Sequence, residues 1–213
     1  MKVDYRIMRL RCLAIIVVVL GHSIILYDPN WGGYSSSYSV PTLICLKQII
    51  NLFQMPLFFF LSGFCFFYSV KKHQFINRKS IIKGIINKEK RLLIPFVIVA
   101  AFWMIPIRHI CKYMAWSDLN LFQIYTRVLL GEDSGHLWFL PTLFLIFIFS
   151  FMFLPRIKKK SEDMLILLVT FCGTIIAPKI PSILFLNNIA SNLYWFILGF
   201  ESGKYKLRNE ESI

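Results

Sequence analysis

Charged residues are scarce in this sequence of 213 residues: Asp, Glu, Lys and Arg make up 16%, about two-thirds of their share in soluble domains. Acidic residues number only 11, whereas apolar residues reach 57% and the mean hydropathy is +0.62. The single core of a water-soluble domain of this size could not bury so much apolar surface. Disorder is excluded as well, because disordered chains combine low hydrophobicity with high charge. The composition therefore indicates an integral membrane protein.

Paired cysteines are missing too. The five cysteines are scattered, none belongs to a C-x-x-C pair, and most lie in apolar stretches, so we interpret them as small hydrophobic residues. Internal repeats, heptads and low-complexity segments are also absent. The net charge of +13 does not indicate a nucleic-acid partner, because the basic residues lie between apolar runs, where a cytoplasmic membrane face would place them.

Six apolar runs are candidates to cross a bilayer core, which needs roughly 20 residues per helix. They are Leu10–Tyr27, Ile49–Val70, Leu92–Ile110, Leu137–Leu154, Met164–Ala177 and Ile183–Phe200. The fifth run is short, and Pro106 predicts a kink near the end of the third. We predict an all-α fold, a polytopic transmembrane helix bundle of about six helices that forms one domain over residues 1–213.

Connecting segments rich in basic residues alternate along the chain with segments that contain few of them. Lys and Arg are concentrated in residues 1–11, 71–91, 156–163 and the C-terminal tail. They are few in residues 28–48, 114–135 and 178–182. Since cytoplasmic segments are enriched in Lys and Arg, we expect six spans, including the short fifth one, with both termini cytoplasmic. The Gly, Pro and Ser content of residues 28–41 predicts an irregular outer loop.

Two ionisable residues, Arg11 and His22, lie within the first span. They are eleven residues apart, about three helical turns, so both lie on one face and roughly 16 Å apart along the axis. This stripe suits a long substrate with an anionic end at Arg11 and a reactive end near His22. The alternatives are that Arg11 extends to the membrane surface as an orientation charge and that His22 only hydrogen-bonds a nearby carbonyl.

Three further motifs contain candidate site residues. His136 opens the fourth span at a depth comparable to His22, so the two could form an acid–base pair; we expect no metal, because no third ligand lies in a nearby span. Trp138 either lines this site or anchors the helix at the membrane interface. Ser62-Gly63 predicts a close approach of two helices. Arg91 is either a positive-inside charge or part of a phosphate site beside Arg11.

In this order, the motifs resemble the membrane-bound acyltransferase-3 family, the bacterial O-acetyltransferases of cell-surface glycans. Arg11 to His22 is similar to the family's R-x10-H helix, and residues 55–64, Met-Pro-Leu-Phe-Phe-Phe-Leu-Ser-Gly-Phe, are similar to its F-F-x-L-S-G-F motif. Residues 90–95, Lys-Arg-Leu-Leu-Ile-Pro, are similar to its basic helix start. Residues 136–140, His-Leu-Trp-Phe-Leu, resemble the fucose 4-O-acetylase branch.

The resemblance implies an acyltransferase of the bacterial plasma (inner) membrane. Its donor would be an acyl-CoA, most simply acetyl-CoA entering from the cytoplasm, and its acceptor a hydroxyl of an envelope glycan or a lipid-linked sugar. Carried over by position, the roles are distributed as follows: His22 catalytic, Arg11 and Arg91 binding the CoA phosphates, and Ser62, His136 and Trp138 lining the substrate cavity.

The sequence also differs from the family pattern in two respects. Family members usually have an Asp just before the R-x10-H helix, whereas Met8-Arg9-Leu10 precede it here, and they usually have more membrane helices than the six predicted. We therefore expect a shortened member, a fragment or inactive relative, or a chain completed by a partner subunit or homo-oligomer. The main alternative is a non-enzymatic transport component in which the His22 stripe lines a path for an anion or proton. A third is a structural membrane protein with no activity.

Overall fold

The computed structural model describes residues 5–28, 39–73, 75, 77–157 and 159–210. This part of the chain is almost entirely helical and contains no strand. Its α-helices are α1 (Tyr5–Ile24), α2 (Pro41–His73), α3 (Arg78–Val99), α4 (Ile105–Ile110), α5 (Leu121–Leu129), α6 (Phe139–Phe153), α7 (Lys160–Ile176) and α8 (Leu186–Glu210). Short 3-10 turns, among them Gly135–Trp138, join several of them.

The all-α prediction is confirmed. Within the described ranges, six helical segments are long and apolar enough to cross a membrane, and the short fifth run is among them as Lys160–Lys179. The segment at residues 71–91, predicted as a basic loop, is instead mostly helical. Lys and Arg are good helix formers, so α3 begins well before its apolar part. The loop predicted at residues 28–41 falls mainly on residues 29–38, outside the described residues.

Helix α5 lies in a segment that we predicted as a loop. Asn120 and Gln123 form a capping box: the Asn120 side chain accepts from the Gln123 backbone N–H, and the Gln123 side chain accepts from that of Asn120. Ile124 and Val128 then lie on one buried face of the helix. The signal in the sequence was this Asn-x-x-Gln spacing followed by two apolar residues one turn apart.

Near Pro106, where we predicted a kink, the structure has a π-helical segment, Ala100–Met104, between α3 and α4. Its wider turn pairs the Ile105 N–H with the Ala100 carbonyl. The next bond of this kind would need an N–H from Pro106, which has none. The Ala101 carbonyl therefore accepts a hydrogen bond from the Tyr125 hydroxyl of α5 at 3.0 Å.

Helices α2 and α8 pack against each other more extensively than any other pair of elements in the described chain. Gly63 lies against the backbone carbonyl of Phe196, and Gly199 lies in the same way against that of Phe60. The close approach predicted at Gly63 is thus confirmed. Small residues are needed here because helices in lipid associate through close packing rather than hydrophobic burial.

Two aromatic-rich clusters form the core. The larger one lies among α2, α6 and α8 and contains Phe59, Phe66, Phe67, Leu143, Ile146, Phe147, Phe151, Phe196, Ile197 and Phe200. The smaller one joins α3, the π segment and α5, with Phe96, Ala100, Met104, Ile105, Trp116, Ile124 and Val128. Trp138 packs against both clusters and stacks on Phe59 with ring centroids 6.3 Å apart.

The two outer helices are attached differently. Helix α1 packs mainly against α2, and most of its apolar side chains remain exposed, as expected for a lipid-facing helix. Helix α7 packs on α8, where Lys204 makes an ion pair with the buried Asp163 at 2.6 Å and a longer one with Glu201 at 3.6 Å. A cavity of about 220 Å³ lies beside these charges.

Replacing Gly63 by Ala tests the crossing of α2 and α8. A Cβ at this position would overlap the Phe196 carbonyl, which is backbone and cannot turn aside. We expect Gly63→Ala to lower the free energy of unfolding by at least about 1–3 kcal/mol, measured by thermal unfolding in detergent micelles.

The matched control is Gly173→Ala in α7, where a Cβ would lie 3.8 Å from the Ala190 carbonyl, an ordinary contact. This variant should leave the midpoint unchanged or slightly raised, because Ala favours a helix more than Gly does. Equal midpoints for the two variants would contradict the packing described here.

Candidate functional site

His22 lies in the last turn of α1, and its hydrogen bond defines its chemistry. The ring Nδ1 lies 2.9 Å from the Val18 carbonyl oxygen. A carbonyl can only accept, so Nδ1 carries the proton and donates. In the neutral ring, Nε2 is then the nitrogen with a free lone pair. The hydrogen bond to a carbonyl that we had considered as an alternative is therefore present, and it prepares the other nitrogen to accept a proton.

The residue before His22 is a glycine, Gly21, because α2 leaves little room for a side chain there. A Cβ on Gly21 would lie 3.0 Å from Ile50 Cγ2 and 3.2 Å from Gln54 Oε1, both on α2. The end of α1 therefore packs closely against the first half of α2. This contact holds His22 next to the side chains that follow Gln54.

His136 faces His22 from the 3-10 turn before α6. The two ring centroids are 6.1 Å apart and the planes are nearly perpendicular. The structure thus brings together the two histidines that the sequence analysis proposed as an acid–base pair. We call His22 and His136 the histidine pair.

Arg108, at the end of α4, anchors the turn that carries His136. It forms an ion pair with Asp133 at 3.7 Å, and the Trp116 indole N–H donates to the other oxygen of that carboxylate. Gly135 has a φ of +53°, in the left-handed region that favours glycine, and a Cβ there would lie 3.0 Å from Arg108 Cζ. Arg108 was not among the site residues predicted from the sequence. Its signal was an arginine at the end of the third span where the basic residues are few.

Two cavities meet at the histidine pair. The first, of about 510 Å³, is lined by Val18, Val19, His22, Ser23, Met55, Phe58, His136 and Phe139. We call it the apolar cavity. The second, of about 540 Å³, is lined by Gly21, His22, Ile25, Lys47, Asn51, Leu52, Gln54, Met55, Pro56, His136, Trp138, Ser191, Asn192 and Trp195. We call it the polar cavity. Among the described residues, the histidine pair and Met55 alone line both, so a group beside His22 can be reached from two chemically different spaces.

The amides of the polar cavity were also missed. Gln54 and Asn192 are 6% and 7% exposed, and each lies in a predicted apolar span. Asn192 donates to the Asn188 carbonyl at 2.8 Å, whereas Gln54 donates to Asn51 at 2.6 Å. No amide within a span was among the predicted site residues, although an uncharged amide in lipid is as informative as an ionisable group.

Arg11 and Arg91 both lie near enough to a third cation, Lys88, for their charges to act on it. Both guanidinium charges act on the Lys88 ammonium, which is half-buried with its nitrogen 3.7 Å above the Phe147 ring. We call Arg11, Lys88 and Arg91 the cationic cluster. The cluster lies about three turns of α1 from His22, roughly 16 Å at 1.5 Å per residue. Lys88 went unnoticed because it lies in a run of basic residues.

Ser62 lines neither the apolar nor the polar cavity. It is half-buried on α2, next to the Gly63 contact with α8 and two turns beyond Met55 on the same face. Since α1 and α2 run antiparallel, Ser62 lies closer to the level of Arg11 than to that of His22. Its role in a substrate cavity stays a prediction.

The anchoring role of Arg108 leads to a stability prediction. Arg108→Met removes the ion pair with Asp133 but keeps most of the side-chain volume in contact with Tyr113 and Trp116. We expect the free energy of unfolding to fall by about 1–3 kcal/mol, because Asp133 loses a partner in a partly buried site.

Arg127→Met is the matched control, since its ion pair with Glu132, at 3.2 Å, lies in the same segment but is more exposed, at 45% and 34%. Its effect should stay below about 1 kcal/mol. A larger loss for Arg127→Met than for Arg108→Met would show that Arg108 does not anchor the turn. Histidine-selective NMR would show the His136 signal shifted only in Arg108→Met.

Comparison with known families supplies the reaction class. The family model Acyl_transf_3, described as an acyltransferase domain, matches residues 4–212. No curated protein and no solved structure matches the chain. The matched range contains the histidine pair, both cavities and the cationic cluster. With nearly its whole length matched, this membrane-embedded helical chain belongs to the acyltransferase-3 family.

Proposed function

We propose that this acyltransferase transfers an acyl group, most simply acetyl, from an acyl-CoA to a hydroxyl of a cell-surface glycan or its lipid-linked precursor. The observation that carries the proposal is the state of His22. Its Nδ1–H is bound to the Val18 carbonyl, so Nε2 can accept a proton where the two cavities meet. Family membership supports acyl transfer as the reaction, and the proton acceptor supports a hydroxyl as the nucleophile.

One cavity has an apolar lining and the other a polar lining, which matches the difference between an acyl chain and a sugar. Methyl, thioether and phenyl groups from Val18, Val19, Met55, Phe58 and Phe139 line the apolar cavity, which suits an acyl chain. Amides, a hydroxyl and indoles line the polar cavity, which suits a sugar. The resemblance of residues 136–140 to fucose 4-O-acetylases supports an envelope sugar as the acceptor.

In the proposed reaction, His22 Nε2 takes the proton of the acceptor hydroxyl as its oxygen attacks the thioester carbonyl carbon. The C–S bond then breaks, and the CoA thiolate receives that proton from the His22 imidazolium. The products are an ester and free CoA. His136, on the opposite side of the shared space, donates a hydrogen bond to the carbonyl oxygen as negative charge develops there.

The cationic cluster supports binding of the CoA phosphates at the other end of the stripe. Guanidinium groups suit this task because they can donate two hydrogen bonds to one phosphate. Combined with the positive-inside pattern, this supports an orientation with the phosphates at the cytoplasmic face of a bacterial plasma membrane and the histidine pair nearer the outer face. The acyl-CoA would then enter from the cytoplasm.

Acyl transfer with and without His22 tests the proposal. Membranes that contain the full chain receive labelled acetyl-CoA and envelope glycans, and label in the glycan fraction is measured against time. Loss of a general base costs about 10²–10⁴-fold in rate. We expect this loss for His22→Ala.

The matched control is His109→Ala, an exposed histidine at the end of α4 that lines neither cavity. It should keep the rate of the unmodified chain. Equal rates for His22→Ala and the unmodified chain would contradict the assigned role. A stable chain that consumes no acetyl-CoA but needs His22 to move protons or anions across the membrane would favour the transport alternative.

A further inference from the structure

Gln54 lines the polar cavity and carries an unpaired side-chain oxygen. The residue is 6% exposed, and its Nε2 donates to Asn51 Oδ1 at 2.6 Å. Its Oε1 is also buried and has no hydrogen-bond partner in the part of the chain that the structure describes. A buried acceptor without a donor destabilises the folded state, so its presence beside a cavity points to a donor that comes from outside the chain.

The position of Gln54 links this oxygen to the reaction centre. Oε1 lies against Gly21, the residue before His22, and Gly21 leaves it room because a Cβ there would approach it to 3.2 Å. The following residue, Met55, separates the polar cavity from the apolar one. A group that donates to Gln54 Oε1 therefore lies close to the group that reaches His22.

The remaining walls of the polar cavity indicate what kind of molecule brings that donor. Asn51, Ser191 and Asn192 supply hydrogen-bonding groups, and Trp138 and Trp195 supply flat indole surfaces. Indoles pack against the C–H faces of a sugar ring, whereas amides and hydroxyls bind its rim. Lys47 does not make this an anion site, because Asp28 forms an ion pair with it.

We propose that Gln54 selects the acceptor by accepting a hydrogen bond from a second sugar hydroxyl, next to the one that is acylated. This inference rests on the proposed function. Gln54 is then a specificity-determining residue: it discriminates between sugars that have a donor at that position and sugars that lack one. A site built to bind a hydroxyl rejects the analogue without it, because its own polar atom is left unpaired.

Sugar binding to the purified full chain in detergent micelles tests this directly. Calorimetry is run with methyl pyranosides of common hexoses and 6-deoxyhexoses and with their monodeoxy analogues. We expect the unmodified chain to bind one parent glycoside about tenfold more tightly than one of its monodeoxy analogues. Gln54→Met should lose that preference by weakening the parent alone, and Gln54→Glu, which keeps an acceptor oxygen, should retain it.

Gln48→Met is the matched control, with the same substitution on the same helix at an exposed residue that lines neither cavity. It should keep the tenfold preference. Folding is checked by the thermal midpoint without sugar, which we expect to be unchanged or raised in Gln54→Met, because an unpaired buried oxygen is replaced by an apolar group of similar shape.

Two results would overturn the inference: no glycoside binds the unmodified chain, or Gln54→Met keeps the full preference between parent and analogue. The acyl-transfer assay on the same preparations separates this from the proposed function. Sugar binding that depends on Gln54 without any acyl transfer would contradict the proposed function alone. Acyl transfer with unchanged sugar preference in Gln54→Met would contradict the role of Gln54 alone.

Discussion

The backbones of α2 and α8 touch at Gly63 and Gly199, and the rest of the site depends on that contact. Lipid offers no hydrophobic force to hold two apolar helices together, so close packing must do so. The contact fixes α2 against α8 a few turns from Gln54 and Asn192, which line the polar cavity from these two helices. Helix α1 then packs on α2 through Gly21 and completes the site with His22.

Hydrogen bonds and charges give the histidine pair and the cationic cluster different chemical properties. The Val18 carbonyl fixes the His22 tautomer, which makes one ring nitrogen a proton acceptor without any charged partner. Arg108 holds the turn that presents His136, although it lies on a helix that lines neither cavity. The cationic cluster lies three turns away along α1. In the proposed function, proton transfer and phosphate binding therefore take place at opposite ends of one helix, with apolar side chains between them.

The six apolar helices could be predicted from the sequence because a helix that crosses lipid must meet simple requirements of length, hydropathy and charge. The sequence also predicted that His22 and His136 would lie near each other, since both fall at comparable depths in their spans. It did not predict helix α5, whose capping box was overlooked, or the long basic start of α3. Gln54 and Arg108 were missed although each left a signal, namely an uncharged amide within an apolar span and an arginine where basic residues are few. The pairing of α2 with α8 could not be read from hydropathy alone.

Photo-crosslinking with a diazirine-bearing acyl-CoA tests whether the acyl group reaches His22 through the apolar cavity. The full chain in native membranes is irradiated with this probe, and labelled residues are mapped by mass spectrometry. We expect labels on α1 and α2 around Val19, Met55 and Phe58, suppressed by unlabelled acetyl-CoA. Labels confined to α7, beside the cavity that Lys160 and Lys204 line, would contradict it.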